Sequence, residues 1–217
     1  MASAAVRAPS VQRPPPLVFL DVDGVLHPTH GETFFEASCM ANLRYIIEQT
    51  GAVIVLSSAW QVTESGIQDV NEVLKRWGIP PLVARTTNSP HVGRGEEKRA
   101  REIMAWVASH QMACSSGWVA LDDLDLDSVA PPPSWAPILP AGRLVRTLDT
   151  VGLTQQDAVR AIKVLGGPNP RAAPLPPPQA NATEPVLRGG ATVGGREGAN
   201  DGLEGHNVWR TDARYGR

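Results

Sequence analysis

Residues 17–26 read LVFLDVDGVL, and this stretch decides which fold the chain is expected to adopt. Four apolar residues run into Asp21, and a second acidic residue, Asp23, follows before the chain reaches Gly24. A short apolar run bounded by turn residues is typical of a strand buried on both faces of a parallel sheet. Carboxylates just past such a strand lie where open α/β sheets bind their ligands, and a glycine lets the backbone turn sharply. Taken alone, the acidic pair is more often a polar turn than a catalytic site, so its interpretation depends on the rest of the chain.

The chain beyond this segment alternates between strand-like and helix-like patterns. Further strands are predicted where short apolar runs occur, at 52–57, 118–121 and 143–147. Helices are predicted where apolar residues recur with helical spacing, at 37–49, 65–77, 96–110 and 154–165. Thr154 is the predicted N-cap of the last helix, with Asp157 at the capping-box position. Strands that alternate with helices predict an α/β fold, a Rossmann-like three-layer sandwich with a parallel central sheet.

Composition divides the chain into three parts. Residues 1–16 are rich in Ala, Ser and Pro and contain no acidic residue, which fits a short transit peptide or, better at this length, a disordered leader. Residues 17–166 carry the periodic patterns and form the predicted folded domain. Residues 167–217 are rich in Pro, Gly, Ala and Arg without periodicity, which predicts a disordered tail. A Pro-rich run at 175–178 leaves a role as a polyproline ligand open.

Charge and cysteine content exclude several classes of protein. The 217 residues carry a formal net charge of -2, so the charge gives no support for a large nucleic-acid footprint. Cys39 and Cys114 fit neither a disulfide framework nor a zinc pattern, which suits a reducing, intracellular compartment. No apolar run approaches the length of a membrane span, so we expect no membrane partner. The pattern does not predict an oligomeric state.

Three of the predicted strands end in residues that phosphoryl chemistry uses, namely carboxylates or serines. A basic pair also begins the helix that precedes the third of these strands. In chain order, the residues are Asp21 and Asp23, Ser57 and Ser58, Lys98 and Arg99, and Asp122 and Asp123. Crowded carboxylates repel one another, so an acidic site of this kind favours a bound cation.

These segments resemble, in order, the four motifs of the haloacid dehalogenase (HAD) superfamily. Residues 17–26 resemble motif I, VIVLSS motif II, Lys98 or Arg99 motif III, and VALDD motif IV. More narrowly, the segments SSAW, REIMAWV, WVALDD and VGLTQQDAVRAI resemble the HAD-like domain of Swiss-army-knife RNA repair proteins. The resemblance extends over residues 17–165, and it implies a phosphohydrolase, a phosphoric monoester hydrolase of the HAD type.

The resemblance also implies a role for each site residue. Asp21 would attack phosphorus and form an aspartyl-phosphate intermediate. Asp23 would protonate the leaving oxygen and then take a proton from the hydrolytic water. Ser57 would hydrogen-bond the phosphoryl group, and Lys98 would neutralise its charge.

The cofactor implied by the resemblance is Mg²⁺. Its ligands would be Asp21, the carbonyl group of Asp23, and the carboxylates of Asp122 and Asp123.

Some positions within the motifs have alternatives. Ser57 is preferred to Ser58 because it ends the apolar run directly. Lys98 is preferred to Arg99 because lysine is usual in motif III, although Arg99 fits the spacing of the narrower family better. That family often has arginine after the motif II tryptophan, where this chain has Gln61.

Two further acidic residues, Asp125 and Asp127, extend the run that follows motif IV. They are interpreted as part of a solvated loop rather than as metal ligands. Their side chains therefore stay outside the predicted site.

The spacing of the motifs predicts an accessible site. The intervals from Asp23 to Ser57 and from Ser58 to Lys98 hold one clear helix each, which leaves no room for a separate cap domain. Residues 27–35 are the candidate for a small flap. A capless or minimal-cap HAD core suggests an exposed or macromolecular phosphate as substrate, its identity unknown. Nucleic-acid ends are suggested only by the family context. The alternative function is an inactive HAD-like module that binds phosphate or a protein.

Overall fold

The computed structural model describes residues 13–88, 95–130 and 136–187. Its strands are β1 (Leu17–Leu20), β2 (Thr33–Phe34), β3 (Val53–Leu56), β4 (Ala84–Arg85), β5 (Trp118–Asp122), β6 (Leu144–Arg146) and β7 (Val186–Leu187). Its α-helices are α1 (Ala37–Thr50), α2 (Glu64–Arg76), α3 (Gly95–Ser109) and α4 (Gln155–Val164), with 3₁₀ turns at Ala59–Val62 and Ala113–Ser116.

Five of the strands form one parallel sheet in the order β4-β3-β1-β5-β6. The strand β1 is central because its LVFL sequence is buried on both faces, as the apolar run predicts. Leu17 pairs with Val53 of β3 on one side and with Trp118 of β5 on the other. The chain therefore brings its first, second and third motif-bearing strands side by side.

Two hydrophobic layers cover the sheet. Alternate residues of β1 point to opposite faces, so Val18 and Leu20 join one cluster while Leu17 and Phe19 join the other. The first cluster contains the apolar faces of α1, α2 and α4, and the second contains that of α3. This arrangement confirms the predicted three-layer α/β sandwich.

The predicted start of α4 is also confirmed. Thr154 is the N-cap, its side chain accepts a hydrogen bond from the Asp157 backbone, and the Asp157 carboxylate accepts one in return from the Thr154 backbone. This reciprocal capping satisfies amide groups that the first helical turn leaves unpaired. The short strands β2, β4 and β7 were not predicted, because two residues are too few to show an alternating pattern.

The predicted boundary of the disordered tail requires correction. Residues 167–187 return across the domain, and β7 pairs antiparallel with β2, placing Val186 opposite Phe34. We call residues 168–187 the strap. The strap begins at the end of α1, where the Asn169 amide donates to the Gln49 carbonyl at 2.6 Å. The rest of the predicted tail, 188–217, and the leader residues 1–12 lie outside the described residues.

The strap has a Pro-rich sequence, and its backbone is held by the domain. The guanidinium of Arg44 on α1 donates to the carbonyls of Pro176, at 2.7 Å, and Leu175, at 3.4 Å. The Gln179 amide donates to the Arg76 carbonyl at 2.7 Å. A polyproline segment makes no internal hydrogen bonds, so these partners replace water for its carbonyls. The 175–178 run is therefore engaged within the chain.

Removal of the strap is expected to destabilise the domain. A chain that ends at Gly167 should lose about 2–4 kcal/mol in free energy of unfolding relative to one that ends at Leu187, because several hydrogen bonds contribute about 1 kcal/mol each and apolar contacts add to them. Urea unfolding of the two truncated chains measures the difference. Equal midpoints and slopes for the two chains would mean that the strap contributes nothing.

The intervals between the motifs contain no separate cap domain in the described part of the chain. Between Asp23 and Ser57 lie a turn, β2, α1 and β3, while the described residues from Ser58 to Lys98 contribute a 3₁₀ turn, α2, β4 and the start of α3. None of the described helices combines the length and apolar composition that a membrane crossing requires.

Candidate active site

The carboxyl ends of β1, β3 and β5 meet at one edge of the sheet and bring three motifs together. The backbone amide of Asp21 donates to the Leu121 carbonyl at 3.0 Å, and that of Ser57 donates to the Leu20 carbonyl at 2.8 Å. These bonds continue the parallel ladders just past the strand ends, so Asp21 is flanked by Ser57 on one side and by Asp122 on the other. The Asp21 carboxylate is itself oriented by the Val22 amide, which donates to it at 2.8 Å.

Three carboxylates form a compact cluster at this edge. One oxygen from each of Asp21, Asp122 and Asp123 lies within 4.8 Å of the other two. Asp21 and Asp122 are buried and Asp123 is half-buried. Burial raises the pKa of Asp122, aided by the charge of Asp21, and burial with the Asp21 charge raises the pKa of Asp123 to about 6. The raised pKa values therefore reflect burial together with the repulsion between neighbouring carboxylates.

Arg99, rather than Lys98, is the cation that reaches this cluster. Its Nη1 lies 2.6 Å from Oδ2 of Asp122 and 3.2 Å from Oδ2 of Asp21. Burial acts to lower the pKa of the guanidinium, but these two carboxylates outweigh it and raise the pKa. Lys98 points elsewhere: its Nζ donates to Asn88 at 2.7 Å and lies 3.8 Å from Glu102. The preference for Lys98 is corrected to Arg99.

Ser57 and Ser58 have different surroundings. The Ser57 hydroxyl is buried at the end of β3 and has no hydrogen-bond partner in the described residues. The Ser58 hydroxyl instead caps the 3₁₀ turn by accepting from the Trp60 amide at 3.4 Å. A buried hydroxyl without a partner costs about 1–3 kcal/mol and needs an explanation. A bound ligand at the sheet edge would supply one.

Asp23 is held apart from the carboxylate cluster. Its Oδ1 lies 3.0 Å from Nε2 of His27, and its Oδ2 accepts from Nε1 of Trp60 at 2.9 Å. The Asp23 side chain is 43% exposed, whereas that of His27 is 0% exposed. The sequence signals for these two partners were the spacing of His27 four residues after Asp23 and the position of Trp60 just after motif II. Neither residue was assigned to the site from the sequence.

Gly24 brings the motif I turn against motif IV. Its φ of 72° lies in the left-handed region, and a Cβ there would lie 2.7 Å from the Asp123 Cγ. The Thr147 hydroxyl, just after β6, donates to the Gly24 carbonyl at 2.7 Å. Only glycine allows this close approach, which positions the Asp123 carboxylate beside Asp21.

Three other residues considered from the sequence lie outside the carboxylate cluster. Gln61 is buried and its amide group hydrogen-bonds Thr86, so it provides no positive charge where the narrower family often has arginine. Asp125 forms an ion pair with Arg146 at 3.2 Å. Asp127 is exposed. Neither of these two carboxylates belongs to the three-residue cluster.

Comparison with known protein families identifies the domain. The family model for the HAD domain in Swiss Army Knife RNA repair proteins matches residues 17–158, well over half of the 217 residues. The chain belongs to this family. No curated protein and no solved structure matches it significantly. The matched region begins at β1 and ends within α4, so it contains every strand of the parallel sheet and the whole carboxylate cluster.

Membership of the HAD family places the domain in a superfamily of hydrolases in general and gives the cluster a chemical context. HAD proteins generally use Mg²⁺, which prefers oxygen ligands such as carboxylates. Asp21, Asp122 and Asp123 offer such ligands within 4.8 Å of one another. When all three are ionised, their negative charges outnumber the single positive charge of the neighbouring Arg99 by two. The donor set and the excess charge both fit a divalent cation.

Proposed function

We propose that this HAD protein is a Mg²⁺-dependent phosphatase that acts through an aspartyl-phosphate intermediate. The observation that carries the proposal is the convergence of Asp21, Arg99 and the Ser57 hydroxyl, which has no partner among the described residues, on one sheet edge beside Asp122 and Asp123. A nucleophile, a cation, a hydrogen-bond donor and a set of metal ligands are the components that phosphoryl transfer requires.

Asp21 is the proposed nucleophile. It stands at the end of the central strand, and its Oδ1 is fixed by the Val22 amide at 2.8 Å. Attack of its carboxylate on phosphorus forms the Asp21–phosphorus bond and breaks the bond to the leaving oxygen. Because a carboxylate is already ionised at neutral pH, it needs no separate base to activate it.

Ser57 and Arg99 are the proposed contacts to the phosphoryl group. The Ser57 hydroxyl would donate to a phosphoryl oxygen and so gain the partner that its buried position lacks among the described residues. The Arg99 guanidinium, 3.2 Å from Asp21, would stabilise the negative charge that accumulates on the transferred group. Mg²⁺, when bound by the carboxylates, would add charge neutralisation of the same kind.

Asp23 is the proposed proton carrier. In the first step its carboxyl group gives a proton to the leaving oxygen, and in the second its carboxylate takes a proton from the attacking water. The water oxygen bonds to phosphorus, the Asp21–phosphorus bond breaks, and inorganic phosphate leaves. The 43% exposure of the Asp23 side chain suits a group that must meet both the leaving group and water.

The proposed substrate is an exposed phosphate on a large molecule. No cap domain separates the motifs in the described residues, and the Asp23 side chain is 43% exposed. The family description refers to RNA repair proteins, which makes phosphorylated nucleic-acid ends the first substrate to test. The net charge of -2 does not favour nucleic acid over other phosphorylated macromolecules.

A substrate panel with and without metal tests the proposed function. The full chain should hydrolyse 4-nitrophenyl phosphate with Mg²⁺, and activity should fall to background with EDTA and return when Mg²⁺ is added in excess. Phosphorylated oligonucleotides, phosphopeptides, nucleotides and sugar phosphates compared under the same conditions should identify the substrate class. Turnover that EDTA leaves unchanged would contradict the metal requirement. Binding of Mg²⁺ or phosphate with no turnover of any substrate would instead favour a binding module.

A further inference from the structure

The Asp23 carboxylate is held by two N–H donors that come from different parts of the chain. His27 lies in the turn that follows motif I, and Trp60 lies in the 3₁₀ turn that follows motif II. Each donor contacts a different carboxylate oxygen, at 3.0 Å for His27 and 2.9 Å for Trp60. Two anchors on two oxygens prevent the carboxylate from rotating.

The hydrogen bonds of the His27 ring define which nitrogen carries the proton. The Phe35 backbone amide donates to Nδ1 at 3.4 Å, so Nδ1 is the unprotonated acceptor. In the neutral ring the proton then lies on Nε2, which donates it to Asp23. Phe35 makes this contact from a left-handed backbone, with φ of 58°, the one such non-glycine residue in the described ranges. A strained backbone of this kind is often found at functional sites.

An aromatic cluster makes the two donors rigid. Trp60 packs edge-on against Phe34 and Phe35, with ring centroids 5.4 Å apart in both pairs. The His27 ring contacts the same two residues, at 5.1 Å and 5.8 Å. Phe34 belongs to β2, which pairs with β7 of the strap. Both donor rings are therefore packed against the same pair of phenylalanines.

We propose that His27 and Trp60 are positioning residues that hold Asp23 in the geometry for proton transfer to the leaving oxygen. This inference rests on the proposed phosphatase function and assigns a role to residues that do not contact phosphate. When Asp23 gives up its proton, its carboxylate gains negative charge, and the two N–H groups stabilise that charge without rearranging. A donor that stabilises charge only as the proton leaves acts on the transition state more than on the ground state.

The dependence of the rate on the basicity of the leaving group tests this proposal. Phenolates that are weak bases depart without protonation, whereas more basic ones need the proton from Asp23. Trp60→Phe removes the indole N–H and keeps an aromatic ring. We expect it to lower kcat/KM about tenfold for phenyl phosphate and less than about twofold for 4-nitrophenyl phosphate. A series of substituted phenyl phosphates should give a steeper dependence on leaving-group basicity in the variant than in the unmodified protein.

Two control comparisons distinguish a positioning role of His27 and Trp60 from a general packing role. Trp106→Phe makes the same change on the opposite face of the sheet, where Trp106 packs against Phe19 at 5.3 Å, and should leave the leaving-group dependence unchanged. His27→Gln can donate to Asp23 and accept from the Phe35 amide, whereas His27→Met can do neither. We expect the Gln variant to retain the original dependence and the Met variant to resemble Trp60→Phe.

Equal losses of kcat/KM for all leaving groups in Trp60→Phe and His27→Met would overturn the inference, because they would indicate a packing role alone.

NMR supplies a second test that needs no turnover. The His27 nitrogens should show a protonated Nε2 and an unprotonated Nδ1, and the Trp60 indole proton should shift upfield in Asp23→Ala. An unchanged indole resonance would overturn the proposed contact even if the enzyme were active. A chain with these NMR signatures but no phosphatase activity would retain the contacts and refute the proposed function.

Discussion

Asp21→Asn is expected to reduce turnover of 4-nitrophenyl phosphate by about a thousandfold or more while the protein remains folded. The amide has the shape of the carboxylate and can still accept from the Val22 amide, but it is a poor nucleophile toward phosphorus. The substitution also removes one of three clustered negative charges, so it should relieve repulsion within the cluster. Steady-state kinetics measures the loss, and circular dichroism with thermal melting checks the fold.

Asp127→Asn is the matched control for this variant. It makes the same chemical change on the exposed loop after motif IV, outside the cluster. We expect it to retain full activity. If Asp21→Asn kept more than about a tenth of the original rate, a nucleophilic role for Asp21 would be untenable.

Arg99→Met is expected to lower kcat/KM by about a hundredfold or more, whereas Lys98→Met should change it less than about threefold. Arg99 alone of this pair contacts the cluster, at 2.6 Å from Asp122 and 3.2 Å from Asp21. Lys98 is bonded to Asn88 instead. The two substitutions remove adjacent cations from one helix and change the net charge equally. A difference in activity between them therefore reports the direction in which each side chain points.

Stability is a separate consequence of the Arg99 substitution. Removal of one member of a buried ion pair costs about 3–5 kcal/mol, because the remaining charge is left uncompensated. Arg99→Lys keeps the charge and provides a folded variant if Arg99→Met does not fold. It should retain more activity than any neutral substitution at this position. Comparable activity losses at Lys98 and Arg99 would contradict the assignment.

The sequence was sufficient to predict the sheet because its central strand is chemically unusual. Four consecutive apolar residues are typical of a strand buried on both faces, and β1 has such a run directly before Asp21. Ser57 and Asp122 could be placed beside Asp21 for the same reason, since parallel strands that end in polar residues present them at one edge. The predicted layers followed from helical periodicity.

The direction of the motif III side chain was harder to predict because it depends on the rotation of one helix. Neighbouring helical residues point about 100° apart, so Lys98 and Arg99 cannot both face the sheet. Ile103 and Trp106 are buried against the sheet, and Arg99 lies four and seven residues before them on the same face. Helical periodicity therefore indicated Arg99, but the prediction gave more weight to lysine as the usual residue of motif III.

The strap could not be predicted because the composition of a segment does not indicate which residues elsewhere in the chain it contacts. Its prolines and its lack of apolar periodicity suggest a chain unable to form a core of its own. The stabilising contacts come instead from Arg44, a surface-type residue on α1 that donates to the carbonyls of Leu175 and Pro176. Contacts between a backbone carbonyl and a distant side chain leave no pattern in the sequence. The bonds from His27 and Trp60 to Asp23 were missed for a different reason, because a histidine and a tryptophan near the motifs do not indicate by position alone which carboxylate they contact.

Direct detection of the covalent intermediate tests the central claim, that Asp21 is a phosphoryl-accepting nucleophile. The full chain, mixed with 4-nitrophenyl phosphate and Mg²⁺ and quenched in acid within the first turnover, should yield one peptide that carries a single phosphoryl group. Fragmentation mass spectrometry should assign the group to Asp21, and hydroxylamine should remove it, as expected of an acyl phosphate. A phosphoryl group on any other residue would contradict the account. Product formation without a trapped phosphoenzyme would also contradict the account if the phosphoryl group passes directly to water. Inversion of configuration at a chiral phosphorus would identify such a direct transfer.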